Sequence, residues 1–207
     1  MVTNVVKKSE NPSYKRRLAS LEGCQNDLKN ELLLMFSAFY GALKNYQEEV
    51  VQTPIEARAR GFEASLLNSK MIQSIQEHFP KNWKFGKYKR FTLRLNGYII
   101  LFKKFNKKGL PMNIKTKSVT AISQQLSIPL FDDTTFVAEP ILFFGYNKDS
   151  FGRIINPKLV YIDEDQVKWE INKDNVSTTK TISIPKEEKV AMPKLRTEVV
   201  KKNVSNK

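Results

Sequence analysis

Apolar residues recur at spacings of three and four between positions 28 and 50: Leu28, Leu32, Met35, Phe36, Phe39, Leu43, Tyr46 and Val50. That period puts them on one helical face. Leu33 and Leu34 widen the stripe, so this first helix is expected to be buried on most sides or to seat a second copy of the chain as a homodimer. A second helix is expected from Thr53, where Pro54 fits the first turn and Glu56 completes a capping box, to about Phe79, with Pro80 as its stop. The period then changes to two. Residues 91–95 and 98–102 flank Asn96-Gly97, the dipeptide favoured in two-residue hairpin turns. Such a turn pairs Leu95 with Tyr98, Leu93 with Ile100 and Phe91 with Phe102 on one face. It pairs Arg94 with Ile99, Thr92 with Leu101 and Arg90 with Lys103 on the other. The first face suits a core and the second carries cations.

Further along, residues 112–115 fit a short strand, and Val119, Ile122 and Leu126 fit a short helix. Residues 141–146 and 159–162 read as buried strands separated by a loop over 147–157. Residues 167–171 read as one more strand, entered through a turn at Glu164-Asp165. The expected fold is α+β: N-terminal helices packed on a mostly antiparallel sheet of four to six strands. Residues 1–19 are expected to form a loose basic arm. Residues 20–171 would form a single domain, helical over 20–80 and mainly β over 81–171. Residues 172–207, which hold no aromatic side chain, are expected to form a flexible basic tail.

Charge changes the picture. The chain has 207 residues and a formal net charge of +14, a balance that points to phosphate-bearing partners. The excess is concentrated. Residues 81–117 contain twelve Lys and Arg and no Asp or Glu, whereas residues 1–80 contain ten basic and nine acidic residues. A folded segment of one sign carries uncompensated repulsion, because ordinary surfaces mix both signs. Seven aromatics interleave with these cations: Trp83, Phe85, Tyr88, Phe91, Tyr98, Phe102 and Phe105. Cations neutralise phosphates, and exposed rings stack on unpaired bases. Phe91, Tyr98 and Phe102 are assigned to the core. The expected nucleic-acid contacts are Trp83, Lys84, Lys87, Tyr88, Lys89, Arg90, Arg94, Lys103, Lys104, Lys107 and Lys108. The second helix adds Arg58 and Arg60 within reach of a phosphate.

Candidate chemistry is sparse. His78 is the only histidine and Cys24 the only cysteine, which leaves too few ligands for a zinc site and no internal disulfide. No metal or cofactor is expected, and a reducing, cytoplasmic compartment fits. The apolar run at 32–43 is shorter than the roughly 20 residues a membrane span needs, so no membrane association is expected. The carboxylates available for magnesium are Asp132, Asp133, Glu139, Asp149, Asp163, Glu164 and Asp165. Asp163 with Gln166-Val167-Lys168 resembles the acid and Glu/Gln-x-Lys triplet of restriction-endonuclease-like enzymes. That family places its acid on an earlier strand, and Asp149 is better spaced for it. The resemblance implies Mg²⁺-dependent cleavage by Asp149, Asp163 and Lys168. A metal-free ribonuclease would instead use His78 as base beside Arg58 or Arg60.

The first expectation is therefore a nucleic-acid-binding protein of bacterial, prophage or mobile-element type, acting through the basic hairpin, the Trp83 segment and the tail. One alternative is a nuclease or ribonuclease-type toxin of a toxin–antitoxin or phage-defence system. Another is a basic inhibitor that binds an acidic protein partner.

Overall fold

The computed structural model describes residues 14–127, 129–131 and 137–177. Ser20 starts the first helix, α1 (Leu21–Asp27), by accepting a hydrogen bond from the Gly23 amide. Helix α2 (Lys29–Val50) follows almost without a break. Its buried side chains, Leu32, Met35, Phe36, Ala38, Phe39, Ala42 and Tyr46, carry the three/four spacing read from the sequence. They face the core, while Leu33, Leu34 and Tyr40 stay partly exposed. Helix α3 (Phe62–His78) packs along α2, tied by the buried Ser74 hydroxyl donating to the Ala38 carbonyl (2.8 Å).

The second helix begins later than the capping box suggests. Residues Ile55–Ala57 form a single 3₁₀ turn without a side-chain cap. The chain turns at Gly61, whose φ of +87° suits glycine, before α3 starts. Arg58 explains the difference. Its guanidinium donates to the Val50 carbonyl (2.8 Å) at the end of α2, to the Thr53 carbonyl (3.0 Å) and to Glu63 Oε1 (3.0 Å). It is occupied in bracing the α2–α3 corner.

Six strands follow in spatial order identical to chain order: β1 (Trp83–Gly86), β2 (Arg90–Leu95), β3 (Tyr98–Lys104), β4 (Ile141–Lys148), β5 (Ile154–Asp163) and β6 (Gln166–Asn172). Every neighbouring pair is antiparallel except β3 and β4. A parallel pair requires a crossover. Residues 105–140 supply it and include α4 (Lys117–Ser123), capped by Thr116. Residues 112–115 form no strand; the nearest pairing there is a lone bridge between Phe105 and Pro111. The 147–157 loop is shorter than expected, because β4 extends to Lys148 and β5 begins at Ile154.

The sheet is covered on both faces. Phe91, Leu93, Leu95, Tyr98, Ile100, Leu142, Phe144, Leu159 and Tyr161 join α1–α3 in the main core. Ile99, Leu101, Ile141, Phe143, Val160 and Ile162 join Ile122, Leu130 and Val137 from the crossover. Buried Gln125 fastens the crossover to the sheet. Its amide donates to the Ile141 and Ile162 carbonyls, and its oxygen accepts from the Ile141 amide.

Both expected loose ends are held where described. Residues 14–17 bond to the crossover through Arg16 N to Gln125 O, Arg17 N to Ala138 O and Ser127 N to Tyr14 O. Asn172 belongs to β6, and α5 (Lys173–Ser177) buries Val176 against the main core. Residues 1–13 and 178–207 lie outside the described residues.

Candidate nucleic-acid interface

The hairpin register agrees with the sequence reading at Leu95–Tyr98, Arg94–Ile99 and Leu93–Ile100. The second hairpin face is not an open cationic surface, however. Thr92, Ile99 and Leu101 are buried beneath the crossover. The cations remain accessible mainly at the open end of the hairpin, where β2 begins and β3 finishes.

The Trp83 segment turns out to be strand β1, paired with β2 as Trp83–Leu93, Lys84–Thr92, Phe85–Phe91 and Gly86–Arg90. Trp83 stacks on Phe91 (centroids 6.1 Å apart) and is partly buried against the core, which removes it from the stacking candidates. Lys84 Nζ lies 4.7 Å from the centre of the Phe131 ring. Gly86 is required by close packing: a Cβ there would stand 2.4 Å from the Leu130 carbonyl oxygen. The turn into β2 holds Tyr88 (φ 59°) and Lys89 (φ 53°) in left-handed conformations, which non-glycine residues sustain only under structural constraint. Tyr88 projects from it 91% exposed.

The expected cationic contacts separate into two groups. Arg94 forms an ion pair with Glu139. In contrast, Lys87, Lys89, Arg90, Lys103, Lys104, Lys107 and Lys108 have no ion pair with a carboxylate of a described residue. Arg90 and Lys103 line a cavity of about 280 Å³ together with Lys89 and Tyr88. Burial lowers the Arg90 pKa, and burial followed by repulsion from Arg90 lowers that of Lys103. The next residue of β3, Lys104, lines a second cavity of about 490 Å³ with Lys107, Lys148 and Lys158. Lys158 is paired there with Glu170 (2.6 Å) and Lys148 with Glu63 (3.8 Å).

The opposite end of the sheet has the reverse character. Asp163, Glu164 and Asp165 sit in the β5–β6 turn, and Asp27 and Glu31 lie against Asn96 of the hairpin turn. Cations there are matched. Lys15 bridges Asp163 (2.9 Å), Lys168 bridges Glu164 (2.9 Å), and Arg17 donates to the Gly97 carbonyl. Unmatched positive charge therefore gathers at one end of the strands and the carboxylates of the hairpin and β5–β6 turns at the other, while Asp149 and Glu63 at the cationic end are taken by Arg153 and by Lys148 and Arg58.

The catalytic candidates do not converge. Asp149 and Asp163 flank opposite ends of the ten-residue β5, about 30 Å apart along the strand. Asp149 accepts from the Phe151 and Arg153 amides and from Arg153 Nε, closing its own turn. Burial alone would raise its pKa, but these bonds outweigh that and lower it. Asp163 accepts from Lys15, while Lys168 serves Glu164. His78 donates from Nδ1 to the Ser74 carbonyl (2.9 Å) at the end of α3, while Arg58 stands beyond the other end of that 17-residue helix, about 25 Å away. Among the described residues no three His, Cys, Asp or Glu side chains are grouped to hold a metal ion. Asp132 and Asp133 lie outside the described residues. No described helix is long and apolar enough to cross a membrane.

Sequence reasoning missed the parts played by Asn68 and by α3 in walling the Arg90–Lys103 cavity. No local signal carries that proximity. Comparison with protein-family models, with curated proteins and with solved structures finds no match for this chain.

Proposed function

We propose that this protein binds nucleic acid through the open end of its β2–β3 hairpin, in a cytoplasmic, bacterial or mobile-element setting. The observation that carries the proposal is the set of unpaired cations at that end, above all the half-buried neighbours Arg90 and Lys103. Two desolvated positive charges side by side, with no described carboxylate, destabilise the free protein. A polyanion supplies the missing counter-charge. Lys87, Lys89, Lys104, Lys107 and Lys108 extend the positive surface on either side, and Tyr88 offers an exposed ring for stacking.

Binding of this kind replaces small counterions on the phosphates with protein cations. Each phosphate contacted adds about 0.7–0.9 to the slope of log affinity against log salt. The test is a titration of nuclease-treated protein with labelled DNA and RNA across a salt series, with magnesium and with EDTA, and a gel of the products. Salt-dependent binding of intact substrate is expected. Arg90→Glu/Lys103→Glu is expected to weaken it across sequences and to lower the slope by about 1 per lost contact. Salt-independent binding, or an unaffected double variant, would contradict the proposal. Shortened substrate would restore the nuclease reading.

A further inference from the structure

Arg16 is buried, only 2% exposed, where residues 14–17 run along the crossover. Its backbone amide donates to the Gln125 carbonyl, and its Nε donates to the Val137 carbonyl (3.3 Å). The two ends of its guanidinium, Nη1 and Nη2, find no hydrogen-bond partner among the described residues. Glu139 attracts it, yet the Glu139 carboxylate is already paired with Arg94. Burial therefore dominates and pulls the guanidinium pKa down to about 10. A buried charge that lacks a counter-charge strongly destabilises a fold.

The groups around the guanidinium are donors or are already engaged. Both ends of the Gln125 amide serve Ile141 and Ile162. The Val137 carbonyl accepts from Arg16 Nε. The buried Ser127 hydroxyl stands 3.5 Å from that same carbonyl oxygen, at the limit of a hydrogen bond, so its proton is free to turn to a better acceptor. What this set lacks is an acceptor that carries negative charge. Arg16 lines none of the cavities of about 280, 470, 490 and 720 Å³, so the acceptor is small. We propose that Arg16 and Ser127 bind a small inorganic anion of chloride's size, which neutralises the guanidinium and fastens residues 14–17 to the crossover. Water accepts the same hydrogen bonds but brings no charge. The neighbouring Arg17 donates to the Gly97 carbonyl, which puts this site at the end of the strands opposite Arg90 and Lys103. It does not depend on the nucleic-acid reading.

The experiment follows thermal unfolding of the full chain by tryptophan fluorescence while chloride replaces gluconate at constant ionic strength. Gluconate is too bulky for the site. The parent is expected to gain about 3–6 °C for each tenfold rise in chloride above the dissociation constant. Arg16→Met removes the charge and keeps an unbranched side chain. It is expected to melt no lower than the parent in gluconate and to gain nothing from chloride. Arg90→Glu/Lys103→Glu is expected to keep the parent's gain, which separates this site from anions held at the open end. Should Arg16→Met fail to fold, crystals of the parent grown in bromide give a second reading, with an anomalous peak expected at the Arg16 guanidinium. A parent indifferent to the exchange, a gain shared by Arg16→Met or lost in the open-end double variant, or bromide peaks that leave Arg16 bare would overturn the site.

Discussion

At Lys103 the proposed polyanion contact and the stability of the fold oppose each other. Its ammonium is held beside the Arg90 guanidinium in a half-buried setting, and its pKa is lowered by burial and then by that repulsion. A depressed cation means that the folded state holds its proton less tightly than the unfolded chain does. Between the depressed pKa and the ordinary 10.5, the unfolded state binds more protons, so this group's contribution to stability improves as pH rises through that window. Lys103→Met keeps the length of the side chain and removes the charge. It is expected to raise the melting temperature at neutral pH, by about 2–4 °C per kcal/mol relieved, while weakening polyanion binding. The gain should shrink as pH approaches 10.5, and calorimetry over a pH series checks this. A variant that melts earlier and binds equally well would remove Lys103 from the interface. Gly145 illustrates a different constraint. A Cβ there would fall 1.7 Å from the Lys103 carbonyl oxygen, so Gly145→Ala must push β4 away from β3. A loss exceeding about 3 kcal/mol is expected in denaturant unfolding.

At the scale of elements, the parts that were legible in the sequence are those fixed by local chemistry. Asn96-Gly97 set the hairpin and its register, and the three/four spacing set α2, because each is decided within a few residues. The capping box at Thr53 misled because Arg58, five residues on, competes for the carbonyls at the end of α2. That gives a clean separation of roles. Arg58→Ala removes charge-assisted bonds that contribute about 1.5–3 kcal/mol each, so it is expected to destabilise the fold by about that amount or more and to leave nucleic-acid affinity unchanged. Lost affinity at unchanged stability would instead make Arg58 a phosphate contact. The alternation of ring and charge in Trp83-Lys84-Phe85, read as part of the contact surface, is itself a period of two, and the segment is an edge strand whose Trp83 packs on Phe91. The parallel β3–β4 pair and the crossover that covers Ile99 and Leu101 were not legible. Both depend on contacts between residues far apart in the chain, as Ile99 with Ile141 across the parallel pair and Ile99 and Leu101 with Ile122, Leu130 and Val137 of the crossover, for which no nearby pattern exists.

Across the whole molecule the strand direction is also an axis of charge. The hairpin and β5–β6 turns gather Asp27, Glu31, Asp163, Glu164 and Asp165, with Lys15 and Lys168 already paired. The open end gathers Lys87, Lys89, Arg90, Lys103, Lys104, Lys107 and Lys108, none of them ion-paired with a described carboxylate, while Asp149 and Glu63 there are held by Arg153 and by Lys148 and Arg58. The sequence disclosed the concentration of charge in residues 81–117 but not its direction, since antiparallel pairing brings together both termini of that segment's strands. Under the proposed function, such a dipole orients an approaching polyanion before contact, which raises association rates at low salt. The measurement that tests this most directly is an amide-resolved NMR titration of the full chain with a short oligonucleotide at low salt. Shifts concentrated at residues 86–90 and 102–108, with the Asn96-Gly97 and Glu164-Asp165 turns unmoved, are the expected result. Shifts centred on those two turns, or no shift at all, would contradict it.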